Sequence, residues 1–238
     1  MIKPIVILDG YPINPGDLSW EPMEAIGSLT IYDRTPAQDV VNRARGFELV
    51  LTNKTILSAE VLKQLHDLKY IGVLATGYNI VDVDAARERG IVVSNVPDYS
   101  RDSVAQLVFA FLLELTVHTA RHDLAVKEGD WVRCADFSFT FAPVRELAGK
   151  VLGIVGLGSI GKRVAQIGHA FGMLILASGR SALGIEQLDG FTVQRVPLDE
   201  LLHNADVVTL HCPLTQQTKG LINASRLSLM KKSALVIK

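Results

Sequence analysis

Short apolar runs rich in β-branched residues alternate with helix-period segments along nearly the whole chain. Residues 5–8, 29–32, 48–51, 70–74 and 91–93 predict buried strands. Residues 37–45, 59–68 and 83–89 predict helices, with Ser58 and Asp82 as N-caps and Gly46 and Gly90 as C-terminal stops. A second round follows Lys150, with strands at 151–155, 174–177, 207–210 and 234–237 and helices at 160–171, 198–204 and 224–230. Strands and helices alternating in this way predict βαβ units and mostly parallel sheets.

Between the rounds, residues 103–128 predict one long helix, apolar on most faces, which suits burial between two domains better than a surface position. The first boundary is expected near residues 97–100, where Pro97, Asp98, Tyr99 and Ser100 break the strand pattern. The expected domains are 1–99 and 100–238. The two rounds share an architecture without evident sequence repetition.

Bulk properties narrow the possibilities further. The 238 residues are 48% hydrophobic and 21% charged, enough apolar content for a sizeable core and against disorder. A formal net charge of -1 with scattered Lys and Arg gives no basic stripe for a nucleic-acid partner. Cys134 and Cys212 make no disulfide framework in a chain of this size. The opening run 2–8 is interrupted by Lys3 and Pro4, unlike a signal peptide, and the longest apolar stretch, 104–117, falls short of a membrane span. The expectation is a cytoplasmic protein with no membrane partner.

The sharpest motif is Gly156-Leu157-Gly158-Ser159-Ile160-Gly161. A bare G-x-G-x-x-G is weak, but here it follows a predicted strand and opens a predicted helix, the context of a dinucleotide-binding fingerprint. Gly156 would allow the tight turn, Gly158 the approach of the pyrophosphate and Gly161 the packing of helix on strand. The N–H groups of Ser159 and Ile160 would face the phosphates. The alternative is a plain strand-to-helix turn.

The end of the next strand reads Ala177-Ser178-Gly179-Arg180-Ser181. No Asp or Glu stands there for a ribose 2′-hydroxyl, and Glu186 is expected beyond the strand, on the surface. Gly179 and Arg180, with Ser178 and Ser181, suit a 2′-phosphate, which favours NADP over NAD. Arg180 stacking over adenine, with NAD bound without its usual acid, stays open. His118 and His122 lie four apart, but lack the third ligand and the glutamate of a metal motif, so no metal is expected.

Several separated segments carry a family resemblance. They are Leu74-Ala75-Thr76-Gly77-Tyr78-Asn79, Gly90-Ile91-Val92-Val93-Ser94-Asn95-Val96-Pro97, Ser103-Val104-Ala105-Gln106, Leu147-Ala148-Gly149-Lys150, His211-Cys212-Pro213-Leu214-Thr215 and Thr218-Lys219-Gly220-Leu221-Ile222-Asn223. In order and spacing the chain resembles the D-2-hydroxyacid dehydrogenases, nearest to their glycerate dehydrogenase and hydroxypyruvate reductase branch. The resemblance implies an α/β fold of two Rossmann-like parallel-sheet domains: a flavodoxin-like substrate domain, then an NAD(P)-binding domain incomplete at its C-terminal end. It implies hydride transfer between NAD(P)H and a small 2-keto or 2-hydroxy acid of the hydroxypyruvate, glyoxylate or glycerate class, and a homodimer when full length.

Residue by residue, the resemblance implies that the backbone amides of Thr76 and Gly77 grip the substrate carboxylate. Lys54 could add positive charge to the same cleft, or be an ordinary exposed loop lysine. Ser103 and Val104 would lie on the nicotinamide side, and Cys212, Pro213 and Thr218 beside the adenosine half. The family's polarising Arg, its proton-donating His and that residue's Glu partner follow the strand that here is 234–237. No residue of this sequence is assigned to those roles, His211 included. The chain by itself is therefore expected to lack dehydrogenase activity and to leave its last strand as an open sheet edge. The alternative reading is a dinucleotide-binding regulatory module, or a non-catalytic remnant of the family.

Overall fold

The computed structural model describes residues 3–140 and 143–238, so Ile2 of the opening run lies outside the described residues. The chain divides into two compact units, Met1–Tyr99 and Ser100–Lys238.

Unit 1 runs β1 (Lys3–Ile7), α1 (Glu21–Glu24), β2 (Gly27–Ile31), a 3-10 turn at Ala37–Asp39, α2 (Val40–Ala44), β3 (Leu49–Thr52), α3 (Ala59–Gln64), β4 (Tyr70–Val73), α4 (Val83–Glu88) and β5 (Val92–Asn95). All five strands are parallel, in the order β2-β1-β3-β4-β5, the flavodoxin-like arrangement. Side-chain alternation puts Val6 and Leu8 into one core with Val50, Leu62 and Ile71, and Ile5 and Ile7 into another with Leu51 and Trp20. Burial on both faces explains why these strands read as unbroken apolar runs. The Ser58 hydroxyl accepts from the Val61 N–H and the Asp82 carboxylate from that of Ala85, capping α3 and α4. Gly46 and Gly90, at φ 81° and 71°, turn the chain out of α2 and α4. The 3-10 turn replaces the first part of the helix expected over 37–45.

Unit 2 comprises α5 (Arg101–Val117), α6 (Thr119–Lys127), α7 (Asp130–Arg133), β6 (Val151–Val155), α8 (Ser159–Ala170), β7 (Leu174–Ser178), β8 (Gly184–Leu188), β9 (Phe191–Arg195), α9 (Leu198–Asn204), β10 (Val207–Leu210), α10 (Ala224–Leu227) and β11 (Leu235–Ile237). Its sheet has the order β11-β10-β6-β7-β9-β8, parallel except for β8. On one face α5 and α8 bury Ala105, Phe109, Leu112, Val164 and Ala165 against Leu152, Ile154 and Ile175; on the other, α9 buries Leu201 and Leu202 against Val155 and Val208. β11 forms one edge of the sheet, with Ile237 buried and Val236 partly exposed.

Two expectations change here. The single helix over 103–128 is two helices, broken at His118, which sits in the left-handed region at φ 57°. The His122 ring Nδ1 lies 2.9 Å from the His118 carbonyl oxygen, so local bonds hold the break. One stripe of α5 enters the unit's own core, while Leu107, Phe111 and Leu115 stay about half exposed. Among the described residues no single helix is long and apolar enough to cross a membrane; α5 and α6 reach that length and apolarity only as a pair bent by 60°.

The second change is the β8–β9 hairpin, which the apolar pattern did not announce. Its turn is Asp189-Gly190, both at positive φ (44° and 89°), the conformation that aspartate followed by glycine favours between antiparallel strands.

Leu112 is fully buried at the α5–sheet contact, so Leu112→Ala is expected to cost about 2–5 kcal/mol of stability. Leu183→Ala, at an exposed loop position, should stay within about 0.5 kcal/mol. Urea unfolding of the two variants checks the contrast.

Candidate cofactor and substrate-binding sites

The cofactor-side geometry starts from β6, whose chain leaves the sheet through Gly156 at φ 96°. The Gly156 N–H donates to the Ser178 carbonyl at the end of β7, 2.8 Å away. A Cβ on Gly156 would come within 2.7 Å of the Cys212 nitrogen, and one on Gly161 would strike the Gly156 carbonyl oxygen. Glycine is thus required at both positions by close backbone approach. Gly158 differs: a Cβ there would meet nothing within 4 Å, leaving open space in front of α8.

Gly158 is also the N-cap of α8 and brings no side chain to cap it. The Lys162 N–H makes the bond to the Gly158 carbonyl, so those of Ser159, Ile160 and Gly161 have no carbonyl within the helix to bond. A twelve-residue helix therefore points uncapped amides and its positive dipole end at the open space beside Gly158. This cradle fits a dinucleotide pyrophosphate. It lies at the carboxyl ends of β6 and β10, where the strand order reverses, the position at which open α/β sheets take ligands.

The other predicted cofactor residues surround this point in part. Gly179 and Arg180, just past β7, are both exposed, and Gly179 faces open space. Cys212 is half-buried, while Thr218 donates its hydroxyl to the Pro213 carbonyl at 2.6 Å and ties the loop after β10 into a compact turn. Ser103 and Val104 form the first turn of α5, the Ser103 hydroxyl donating to the Ser100 carbonyl at 3.1 Å. Beside them, Arg101, Asp102, Ser159, Lys162 and Arg163 line a polar cavity of about 560 Å³.

Glu186, expected beyond the strand and on the surface, lies past β7 and is partly exposed. It stands in β8 and pairs with Arg195 at 2.5 Å, with Lys162 at 4.0 Å, because the hairpin folds it back over β9. It therefore supplies no acid at the end of β7.

His211 follows β10, with its Nε2 2.9 Å from the Thr209 hydroxyl oxygen, and burial pushes its imidazole down to about 4. It is neutral at physiological pH and occupied with a neighbouring side chain. Among the described residues, no group of three His, Cys, Asp or Glu is placed to hold a metal ion.

In unit 1, Lys54 follows β3 and the segment Thr76–Gly77 follows β4, both at the carboxyl end of the sheet. Lys54 is exposed. Asn95 Nδ2 donates to the Thr76 carbonyl at 2.9 Å, and the Thr76 hydroxyl donates to the Val96 carbonyl at 3.2 Å. Gly77 is exposed, its nearest potential Cβ contact being Asn79 Oδ1 at 3.6 Å. One residue here escaped the sequence reading: Asp9, buried at the end of β1, accepts hydrogen bonds from the Asn53, Lys54 and Thr55 N–H groups. Its only sequence signal is a carboxylate closing an apolar strand.

The family model for "D-isomer specific 2-hydroxyacid dehydrogenase, NAD binding domain" matches residues 109–238, the segment that contains the cradle. The chain belongs to the D-isomer specific 2-hydroxyacid dehydrogenase family. A hydroxypyruvate reductase of Blautia hydrogenotrophica is 42% identical over 236 residues, a match covering 98% of this chain and 73% of that protein. Among solved structures of similar fold is a D-lactate dehydrogenase from Aquifex aeolicus complexed with NAD and lactic acid. It has a TM-score of 0.81 and 30% identity, and the match covers 98% of this chain and 68% of the other. An acyclic imino acid reductase in complex with NADPH and D-Arg has a TM-score of 0.82 and 27% identity, over 98% and 73% of the two chains. The 2-hydroxyacid dehydrogenase family is one of NAD(P)-linked oxidoreductases acting on small 2-hydroxy and 2-keto acids, and its cofactor is a nicotinamide dinucleotide.

The His211 shift has a consequence for stability. Between about pH 4 and 6.5 the unfolded chain holds a proton on this residue that the folded chain lacks, so stability falls as pH drops through that window. The contribution is at most about 1.4 kcal/mol per pH unit. His211→Gln is expected to flatten this dependence; equal slopes for the two proteins in urea unfolding at pH 5 and pH 7 would contradict it.

Proposed function

We propose that the binding sites of this chain serve the reduction of a small 2-keto acid of the hydroxypyruvate or glyoxylate class to the D-2-hydroxy acid, with NADPH preferred over NADH, and that the 238 residues alone bind the reactants without turning them over. The observation that carries the reading is the uncapped start of α8 facing open space at Gly158, with the fingerprint and the segment after β10 brought together by the close approach of Gly156 to Cys212. The bound cofactor would supply the hydride that reduces the keto carbon.

The chain's own residues divide into those that hold cofactor and those that hold substrate. The Ser159 and Ile160 amides and the α8 dipole bind the pyrophosphate, and Gly158 excludes any side chain from that contact. Arg180, exposed beyond Gly179 and with no carboxylate at the strand end, takes the 2′-phosphate of NADPH as a charge-assisted partner. Ser103 and Val104 border the nicotinamide end, and Cys212, Pro213 and Thr218 the adenosine end. In unit 1 the Thr76 and Gly77 amides orient the substrate carboxylate, with Lys54 adding a positive field. Hydride addition leaves an alkoxide that a fixed cation must stabilise and an acid must protonate. In the family these groups follow the strand equivalent to β11, and no residue of the 238 is assigned to either task.

A homodimer through unit 2 is part of the proposal. It is supported by the apolar side chains Leu107, Phe111, Leu115, Leu124, Trp131 and Val132, which stand about half exposed or more along α5, α6 and α7. Sedimentation equilibrium should give about twice the chain mass of 25.9 kDa. We assign the protein to the cytoplasm on its cysteine usage, both thiols being free.

Isothermal titration tests the cofactor assignment. NADPH is expected to bind more tightly than NADH, and Arg180→Ala to weaken NADPH by about tenfold or more while leaving NADH within about twofold. Tighter binding of NADH by the unsubstituted chain would overturn the preference.

A further inference from the structure

We propose that Asp9 is a positioning residue for the carboxylate-binding segment at Thr76 and Gly77; the inference rests on the reading of that segment given above. Asp9 stands just past β1, at the point where the unit 1 strand order reverses, and is only 4% exposed. Its Oδ1 accepts the Asn53 N–H at 2.8 Å, and its Oδ2 accepts those of Lys54 at 2.5 Å and Thr55 at 2.8 Å. The Thr52 hydroxyl reaches Oδ2 at 3.4 Å. Three successive backbone amides converging on one carboxylate form an anion nest, and here the protein supplies the anion itself. A buried carboxylate needs such donors, and the segment 53–55 in turn needs the carboxylate to hold its amides together.

The effect passes from Asn53 to the neighbouring loop. Asn53 Nδ2 donates to the Leu74 carbonyl at 3.2 Å, and the Leu74 N–H donates to the Thr52 carbonyl at 2.8 Å. Leu74 directly follows β4 and lies two residues before Thr76. The other oxygen of this amide, Asn53 Oδ1, is buried with no partner among the described residues. From the opposite side, the Val96 N–H bonds the Ala75 carbonyl at 3.1 Å and Asn95 bonds that of Thr76. Residues 74–76 are thus braced from the ends of both β3 and β5, and Asp9 fixes the β3 brace.

Backbone amides that grip a carboxylate act through placement, and a misplacement of about 1 Å can cost on the order of a hundredfold. Asp9→Asn preserves shape but turns an NH₂ group toward backbone N–H donors, releasing at least one of the three amides. Asn53→Ala cuts only the link to Leu74 and leaves the nest on Asp9.

The test is a titration of the ¹⁵N-labelled 238-residue chain with oxalate, followed at the Thr76 and Gly77 amides, beside calorimetric titration with NADPH. In the unsubstituted chain oxalate should shift both amides saturably. Asp9→Asn should raise the oxalate Kd by about tenfold or more and Asn53→Ala by a smaller factor in the same direction, with the NADPH Kd within about twofold throughout. Unchanged oxalate affinity in both variants would overturn the positioning role and leave the carboxylate-binding reading intact. Absence of any oxalate shift at Thr76 and Gly77 in the unsubstituted chain would instead overturn that reading, and this inference with it. If Asp9→Asn does not fold, Asn53→Ala decides: an unchanged Kd rejects the proposal and a raised one supports it.

Discussion

Two stretches of backbone, the Gly156 carbonyl and the first turn of α8 at Gly161, lie so close that no side chain fits between them. That contact sets the angle at which α8 leaves the sheet, and so where its amides point. It also carries Val164, Ala165 and Gly168 down onto β6 and β7, where a Cβ on Gly168 would crowd Leu152. Because α5 packs against α8 in the same core, the long apolar helix is seated by the same constraint. The chemistry and the core of this unit share one geometric condition: helix and strand must touch backbone to backbone.

The two sheets use their reversal points in opposite ways. At the junction of β6 and β10 the chain withholds side chains, and the helix end stays uncapped toward open space at Gly158. At the junction of β1 and β3 it inserts Asp9, whose carboxylate takes up the amides that an external anion would otherwise use. One site is kept available for a ligand's negative charge and the other is filled by the protein's own. A filled site cannot bind substrate, but it can hold the neighbouring loop rigid, which suits a unit whose proposed task is orientation. The same physics of backbone donors around an anion serves binding in one unit and stiffness in the other.

Much of this was legible in the residues. The runs around Ile5, Val50, Ile71, Leu152 and Val208 read as strands because burial on both faces leaves no polar interruption. The caps at Ser58 and Asp82 and the glycine stops were legible because each acts within four residues. So was the fingerprint, whose glycines answer to a local turn. The misses were of another kind. The break at His118 depends on a left-handed residue that is not glycine, which no periodicity reports. The β8–β9 hairpin carried its signal in Asp189-Gly190, but Ile185, Leu188, Phe191 and Val193 form no unbroken apolar run like those of the other strands. The pairing of Glu186 with Arg195 was missed with it, since only the hairpin brings the two together.

The sequence by itself determined the family, the alternation of strand and helix, and the glycine turn in front of α8, because these rest on interactions between residues near one another in the chain. Tertiary structure alone decided which strands are neighbours, and hence which loops meet at each reversal point. It brought Cys212 against Gly156, fifty-six positions apart in the numbering, and set Asp9 beneath the amides of residues 53–55. Such pairings follow from the order in which parallel strands are laid into a sheet, an order that β-branched runs of similar composition do not specify. The cradle at Gly158 was therefore written in a few adjacent letters, while the brace behind Thr76 came into being only when β1, β3 and β4 lay side by side.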